Sequence, residues 1–210
     1  ALWRCTLRCR LNLFRTILIR DMNIIDKLKE KGYVSTKELS YWQEQQLQEA
    51  VRKGEAIRLK NGIYADIDAL ANTMVDIRVI VPRGILCLWS AWSVYRLTTQ
   101  IPNAYYVAIG RARKIVLPDY PEFQLVYQSD NLLSIGATRK TVQGYDIPIF
   151  DIERSVCDAI KYRNKVGIDV MAEILQNYLR RPDRNISRLM DYASKLRIRK
   201  TLNQYLEVWQ

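Results

Sequence analysis

The stretch "AIRLKNGIYAD", residues 56–66, predicts a β-hairpin. Two apolar and two basic residues alternate along its first half: Ile57, Arg58, Leu59 and Lys60. This period of two is typical of a strand with one buried face. Asn61-Gly62 follows, the strongest two-residue hairpin signal, because a type I′ turn needs a positive φ at both positions. Ile63 then begins the return strand.

Three helices are predicted ahead of this hairpin. After Met22, apolar residues recur at helical spacing, and Gly32 ends the first helix. Ser35 and Glu38 have the S-x-x-E spacing of a capping box, which predicts a second, short helix beginning at Thr36. Ser40–Trp42 is interpreted as a turn.

The third helix, residues 43–53, is predicted to be amphipathic and to end at Gly54. On a helical wheel, one side is apolar: Leu47, Ala50 and Val51. The opposite side is polar: Gln45, Gln48, Glu49 and Arg52, flanked by Gln46 and Lys53. Glutamine and arginine are the side chains that pair with adenine and guanine edges.

Helix, capped helix, helix and basic hairpin is the order of a winged helix-turn-helix. In that arrangement the third helix enters the major groove of DNA. The hairpin, or wing, contacts phosphate, here through Arg58, Lys60 or the Asn61 amide. The alternative is the same fold used only for protein contact, because residues 22–66 carry eight basic and seven acidic side chains.

The whole chain is basic, with 33 Lys and Arg against 22 Asp and Glu, a net charge of +11. This balance favours an anionic partner, nucleic acid being the commonest. The absence of histidine excludes imidazole catalysis and histidine metal ligands. Cys87 and Cys157 lie in apolar runs, which predicts reduced core thiols and a cytoplasmic protein.

Residues 1–21 contain five arginines and one aspartate. They have two readings: sequence upstream of the usual start at Met22, or an amphipathic helix that packs on the body or on a second copy. No apolar run reaches about 18 residues, so no membrane span is expected.

Residues 67–210 predict a small mixed sheet followed by helices. Residues 67–80 are expected to form a linking helix, and "ILCLWSAWSVYRL" a largely apolar one. Three stretches have the composition of strands: "NAYYVAI", "FQLVYQ" and "DIPIFD". After residue 150, four apolar stripes at helical spacing predict a bundle that covers the sheet, with Asp151 and Asn185 as N-caps.

Four carboxylates are the candidates for metal chemistry: Asp146, Asp151, Glu153 and Asp158. Metal-dependent nucleases use such groups to hold Mg²⁺. However, the spacing matches no nuclease signature, and Arg154 and Asp158 at i and i+4 suit a structural ion pair. Basic residues are dense near the C-terminus: Arg180, Arg181, Arg184, Arg188, Lys195, Arg197, Arg199 and Lys200. They could bind an acidic surface of a partner protein, extend the contact with DNA or simply form a solvated helical face.

The segment "GYVSTKEL…LQEAVRKGEAIRLKNGIYA" resembles the N-terminal winged helix of AbiEi-type antitoxins of type IV toxin–antitoxin systems, which act in abortive infection. "LWSAWSVYRLTTQIP" and "DIERSVCDAIKYRNKVG" are similar to later segments of that family. The resemblance implies a first domain that binds repeats in its own promoter and a second that neutralises a nucleotidyltransferase-like toxin. It places DNA contacts at Ser35, Thr36, Lys37, the outer face of residues 43–53 and residues 58–61.

The sequence therefore predicts an α+β protein with an N-terminal extension (1–21), a winged helix (22–66) and a mixed α/β domain with a C-terminal helical bundle (67–210). The expected function is that of an operon repressor and antitoxin, not an enzyme, with neither cofactor nor metal. Its expected partners are double-stranded operator DNA and the toxin, with self-association on DNA left open. The alternative is a metal-dependent nuclease built on the four carboxylates.

Overall fold

The computed structural model describes residues 23–66, 77–118, 120–142 and 144–207. These residues form a mixed α+β fold with ten α-helices and two β-sheets, as the coarse fold class predicted. They divide into two compact units, 23–66 and 77–207, with separate apolar cores. The N-terminal extension and residues 67–76 of the expected linking helix lie outside the described residues.

The first unit contains two α-helices, a short 3₁₀ turn and three strands. In chain order they are α1 (Ile24–Lys31), β1 (Tyr33–Ser35), the 3₁₀ turn (Thr36–Glu38), α2 (Tyr41–Lys53), β2 (Ala56–Lys60) and β3 (Ile63–Asp66). The strands form an antiparallel sheet in the order β1-β3-β2. The two helices pack on it through a shared core: Ile24, Leu28, Val34, Leu47, Ala50, Ala56 and Tyr64.

Both ends of α1 are capped, and the C-terminal one follows the predicted signal. The Asn23 side chain accepts a hydrogen bond from the Ile25 amide. Gly32 adopts a φ of 74°, and its amide donates to the Leu28 carbonyl at 2.7 Å. A left-handed glycine satisfies carbonyls that the last turn would otherwise leave unpaired. The predicted end of the first helix is thus confirmed.

The predicted capping box at Ser35 and Glu38 is wrong. The Ser35 side chain makes no capping hydrogen bond, and only a 3₁₀ turn follows it. The reason is the sheet: Ser35 pairs with Ile63, and the Thr36 amide donates to the Gly62 carbonyl at 2.8 Å. Ser35 is therefore the last residue of a paired strand, and the first amide of the turn, that of Thr36, is bonded to the hairpin.

The hairpin is present, but its turn differs from the predicted type I′. Of the pair Asn61-Gly62, only Gly62 has a positive φ, 74°. A bulge interrupts β2 between Arg58 and Lys60. An extra residue on one strand breaks the period of two. As a result Leu59 is buried while Ile57 is only half-buried.

The second unit combines five strands with eight helices. The strands are β4 (Ile85–Leu86), β5 (Tyr105–Gly110), β6 (Phe123–Gln128), β7 (Ala137–Val142) and β8 (Tyr145–Phe150). The helices are α3 (Ile77–Ile80), α4 (Leu88–Val94), α5 (Asp130–Leu133), α6 (Ile152–Lys161), α7 (Arg163–Val166), α8 (Ile168–Leu179), α9 (Ile186–Lys195) and α10 (Arg199–Glu207).

The sheet of the second unit has the order β6-β5-β4-β8-β7. Pairs β5–β6 and β4–β8 are parallel, and pairs β4–β5 and β7–β8 are antiparallel. The three predicted strands are confirmed as β5, β6 and β8. The expected apolar helix is shorter than predicted, because Ile85 and Leu86 pair with neighbouring strands and the helix begins only at Leu88.

Helices α6, α8, α9 and α10 lie where the four apolar stripes predicted helices, but Ile186, predicted to belong to the stripe of α9, is exposed. The Asp151 side chain accepts from the Arg154 amide at 2.8 Å, and the Asn185 side chain from the Arg188 amide at 2.9 Å, so both predicted N-caps are present. Large side chains from the helices and the sheet fill one core: Trp92, Phe150, Val156, Ile160, Met171, Ile174, Tyr178 and Leu189. Among the described helices, none has the length and apolar content needed to cross a bilayer.

Candidate nucleic-acid interface

Helix α2 begins two residues earlier than expected and has a complete capping box. The Ser40 hydroxyl accepts from the Gln43 amide at 3.4 Å, and the Gln43 side chain accepts from the Ser40 amide at 3.2 Å. The reciprocal pair satisfies two amides at the helix start and fixes the first turn. Ser40–Trp42 is therefore the start of the helix, and the prediction of a turn there is wrong.

The outer side of α2 is polar and accessible. Five of the six predicted reading side chains are exposed: Gln45, Gln46, Glu49, Arg52 and Lys53. On the opposite side Leu47 and Ala50 are buried and Val51 packs against the core. The predicted division of the helix into an apolar and a polar side is thus confirmed.

Gln48 departs from the rest of this group. It is half-buried, and its Nε2 donates to the Tyr64 hydroxyl on β3 at 3.3 Å. This bond joins the helix to the hairpin. Gln48 therefore serves the packing of the first unit, and Gln45 and Gln46 are the glutamines that remain exposed on the outer side.

Glu49 and Lys53 form an ion pair across one turn of α2, with 2.9 Å between Nζ and Oε1. The Lys53 ammonium lowers the pKa of Glu49, and the carboxylate raises the pKa of Lys53. The carboxylate and the ammonium of this pair have opposite charges, so together they contribute no net charge. Arg52, also exposed, is then the main cationic group of the outer side.

The 3₁₀ turn and the wing lie side by side. Thr36 bonds to Gly62 through its amide, and a Cβ at Gly62 would come within 2.8 Å of the Thr36 hydroxyl. Lys37 is exposed, whereas Ser35 and Thr36 are half-buried. The predicted contacts at residues 35–37 and 58–61 are thus brought together at the tip of the hairpin.

Within the wing, the Arg58 guanidinium donates to the Asn61 side-chain oxygen. Both residues are exposed, and Lys60 is half-buried. The bond holds the arginine beside the turn, with its other N–H groups available to an acceptor. Guanidinium carries five donors, so this intramolecular bond leaves capacity for a phosphate.

Sequence reasoning missed two aromatic side chains at the start of α2. Tyr41 is 69% exposed and Trp42 is 77% exposed. Their rings meet edge to face, with centroids 5.9 Å apart. The signal that would have placed them on the helix is Ser40 three residues before Gln43, the alternative S-x-x-Q form of the capping box.

The four carboxylates proposed for metal chemistry each have partners on the protein. Asp146 pairs with Arg139 at 2.6 Å, and Asp151 caps α6 and accepts from the Tyr192 hydroxyl at 2.9 Å. Glu153 accepts from the Tyr178 hydroxyl and from the Asn185 amide. Within the described ranges, no group of three or more His, Cys, Asp or Glu side chains is arranged to hold a metal ion.

Asp158 belongs to a buried ion pair. Arg154 and Asp158 are both fully buried, with 3.1 Å between Nε and Oδ1, which confirms the predicted pair. Arg154 also donates to the Leu132 carbonyl and to the Gln128 side chain, at 2.8 Å each. Burial raises the pKa of Asp158, and the guanidinium opposes that rise. The geometry suits a structural role.

The two described cysteines, Cys87 and Cys157, are free thiols in the core, as predicted. Burial raises the pKa of both thiols, and the neighbouring Asp158 carboxylate raises them further. A thiol with a raised pKa is a poor nucleophile at neutral pH. Both cysteines are packing residues.

The basic residues near the C-terminus are partly neutralised. Three of them have carboxylate partners: Lys195 with Asp191 at 2.7 Å, Arg181 with Asp183 at 2.8 Å and Arg188 with Glu153 at 3.7 Å. Exposed cations also include Arg180, Arg184, Arg197, Arg199 and Lys200.

No model of a known protein family matches the chain, and no curated protein matches it.

Proposed function

We propose that the chain is a DNA-binding transcriptional regulator and antitoxin, with residues 22–66 acting as a winged helix-turn-helix. The proposal is supported by the element order and by the sheet order β1-β3-β2, in which the first short strand pairs with the return strand of the hairpin. The observation that carries it is the contact between Thr36 and Gly62, which joins the turn to the wing, while the bond from Gln48 to Tyr64 joins α2 to the same hairpin.

In this proposal α2 reads base edges from the major groove. Arg52 reaches guanine O6 and N7, and Gln45 reaches adenine N6 and N7. Gln46, Glu49 and Lys53 flank them, and Glu49 can accept from cytosine N4 after its ion pair with Lys53 opens. Gln48 contributes less than its place on the wheel suggested, because it is bound to Tyr64.

The wing and the turn contact the sugar–phosphate backbone. Arg58, Lys60, Asn61 and Lys37 supply donors, and such contacts position a protein on the duplex without reading sequence. The first unit carries nearly balanced charge over residues 23–66. Specific contacts therefore have to supply a larger share of its affinity than general attraction does.

The wing is tested by replacing Arg58 and Lys60 together with alanine. Each lost phosphate contact should lower the slope of log Kd against log salt concentration by about one unit, and affinity should fall by similar factors on all duplexes. The control is Lys29→Ala, an exposed lysine of α1 outside the proposed interface. A slope that stays the same in the double variant removes the wing from the interface.

We further propose that the second unit antagonises a nucleotidyltransferase-like toxin in the cytoplasm. The support is the resemblance of residues 88–102 and 151–167 to segments of AbiEi-type antitoxins, together with the separate core of this unit. Its basic C-terminal surface offers a place for an acidic partner surface. Repression of its own operon would then link toxin binding to gene expression.

Incubation of the protein with Mg²⁺ and plasmid DNA separates this function from the nuclease alternative. Cleavage that Asp158→Ala abolishes would support an enzyme. A salt-sensitive mobility shift without cleavage supports the regulator. The partners found for all four carboxylates favour the second outcome.

A further inference from the structure

Tyr41 and Trp42 place two large rings in solvent on the first turn of α2. The other two described tryptophans are covered: Trp92 is fully buried and Trp89 half-buried. An exposed tryptophan keeps a large apolar ring in contact with water, which is unfavourable compared with a buried position. A ring pair left in solvent at the start of an ordered helix therefore calls for a ligand.

The backbone that carries these two rings is held in place by the start of the helix. The capping box between Ser40 and Gln43 orders the backbone of the first turn. The edge-to-face contact with a centroid distance of 5.9 Å restricts each ring by the other. The two rings are therefore presented together by the first turn of α2.

The rings continue the polar side of α2 toward its N-terminus. Residues three, four and seven positions apart share one face of a helix. Trp42 therefore lies with Gln45, Gln46 and Glu49, and Tyr41 also lies with Gln45. In helix-turn-helix proteins the N-terminal residues of the recognition helix approach the base edges most closely.

We propose that Tyr41 and Trp42 contact the C5-methyl groups of thymines and so select A·T pairs at fixed positions in the site. This inference rests on the proposed DNA-binding function and adds to it the apolar part of the recognition code. The thymine methyl is the apolar group that the major groove presents, and aromatic side chains can pack against it. The neighbouring Gln45 amide then reads the adenine of the same or the next pair.

DNA fits this surface better than a protein partner does. A protein hot spot is an aromatic anchor surrounded by contacts that exclude water. Here the side chains next to the rings are polar and exposed: Glu44, Gln45, Gln46 and Glu49. The two glutamine amides and the two rings match the polar edges and methyl groups of a base-pair groove, and a glutamate carboxylate can accept from cytosine N4.

The test uses the full-length protein and a duplex selected by it from a randomised DNA pool. Each thymine of that duplex is replaced in turn by deoxyuridine, which lacks only the methyl group. For one or two thymines the Kd should rise about fourfold, the factor that corresponds to one buried methyl group of ~0.8 kcal/mol. Trp42→Ala should weaken binding to the thymine duplex by about tenfold or more and abolish the deoxyuridine effect.

Trp42→Phe should restore part of the thymine preference, because a phenyl ring still packs on a methyl group. Tyr41→Ala should remove the preference at a different or an adjacent thymine. Tyr127→Ala, an exposed aromatic of the second unit, is the matched control and should leave affinity and preference unchanged. Circular dichroism melts of all variants check that the fold is kept.

Two results would overturn the inference, and they differ in what they say of DNA binding. If the protein selects no sequence from the pool, the proposed DNA-binding function fails and the inference fails with it. If a sequence is selected and Arg58→Ala weakens binding, but Trp42→Ala and Tyr41→Ala leave every thymine position unchanged, only the inference fails. A change in sedimentation in those variants would then assign the rings to a protein contact.

Discussion

Two arginines of the same chain are expected to contribute very differently to the stability of the fold, and Arg154 and Arg139 show why. Arg154 is fully buried with Asp158, whereas Arg139 pairs with Asp146 while both side chains are more than half exposed. Losing one partner of a buried pair leaves a charge in a medium of low dielectric constant. An exposed pair is screened by water and salt.

Arg154→Ala should therefore lower the free energy of unfolding by about 3–5 kcal/mol. Arg139→Ala, the control, should lower it by no more than about 1 kcal/mol. Urea unfolding followed by circular dichroism measures both. Equal losses in the two variants would contradict the structural role assigned to Arg154.

The loss in Arg154→Ala should also depend on pH. Burial already raises the pKa of Asp158 above 3.8, and removal of the guanidinium raises it further. A raised carboxyl pKa favours folding while the group is protonated, and this contribution disappears as the pH rises through the folded-state pKa. The difference between variant and wild type should thus be smaller at pH 5 than at pH 8.

At the scale of elements, the start of α2 separates a serine that caps from one that does not. Ser40 accepts from the Gln43 amide, whereas Ser35 makes no capping hydrogen bond although its sequence context suggests one. Ser40→Ala should lower the free energy of unfolding by about 1 kcal/mol. Ser35→Ala should lower it by only a few tenths in the same denaturation experiment. A larger loss in Ser35→Ala than in Ser40→Ala would contradict this assignment and support a capping box at Ser35.

The elements also show how far sequence patterns reach. Helices α1, α6 and α9 were predictable because their end signals, Gly32 for α1 and the N-caps Asp151 and Asn185 for the other two, act within a few residues. Strand β4 was not, because two residues in an apolar run carry no period and their partners are distant in sequence. Strand β7 was missed because five of its six side chains are exposed, so it lacks the alternation that marks a half-buried strand.

The candidate interface was predictable to a similar extent. Periodicity alone separated the polar from the apolar side of α2. It did not reveal that Gln48 bonds to Tyr64, because that contact joins a helix to a strand sixteen residues later. Nor did it reveal the exposure of Trp42, because a tryptophan is more often buried than exposed.

For the whole molecule, two separate cores imply that the two proposed activities can be divided. Leu47 and Val34 lie in one core, and Trp92 and Ile174 in the other. A fragment of residues 67–210 should bind and neutralise the toxin without the first unit, as measured by co-purification and by rescue of growth in cells expressing the toxin. Co-purification with residues 22–66, and none with the longer fragment, would contradict this division.

Strand β4 has a consequence for synthesis of the chain. It is the central strand of the second sheet and the first of its five to be translated, yet it consists of Ile85 and Leu86 alone. Its parallel partner is β8, and the two strands pair at Leu86 and Ile149. Strand β8 leaves the ribosome only after β5, β6 and β7. Until then one edge of β4 has unpaired backbone groups, which invite pairing with other chains. A nascent chain stalled before residue 145 should for this reason be the form most in need of a chaperone.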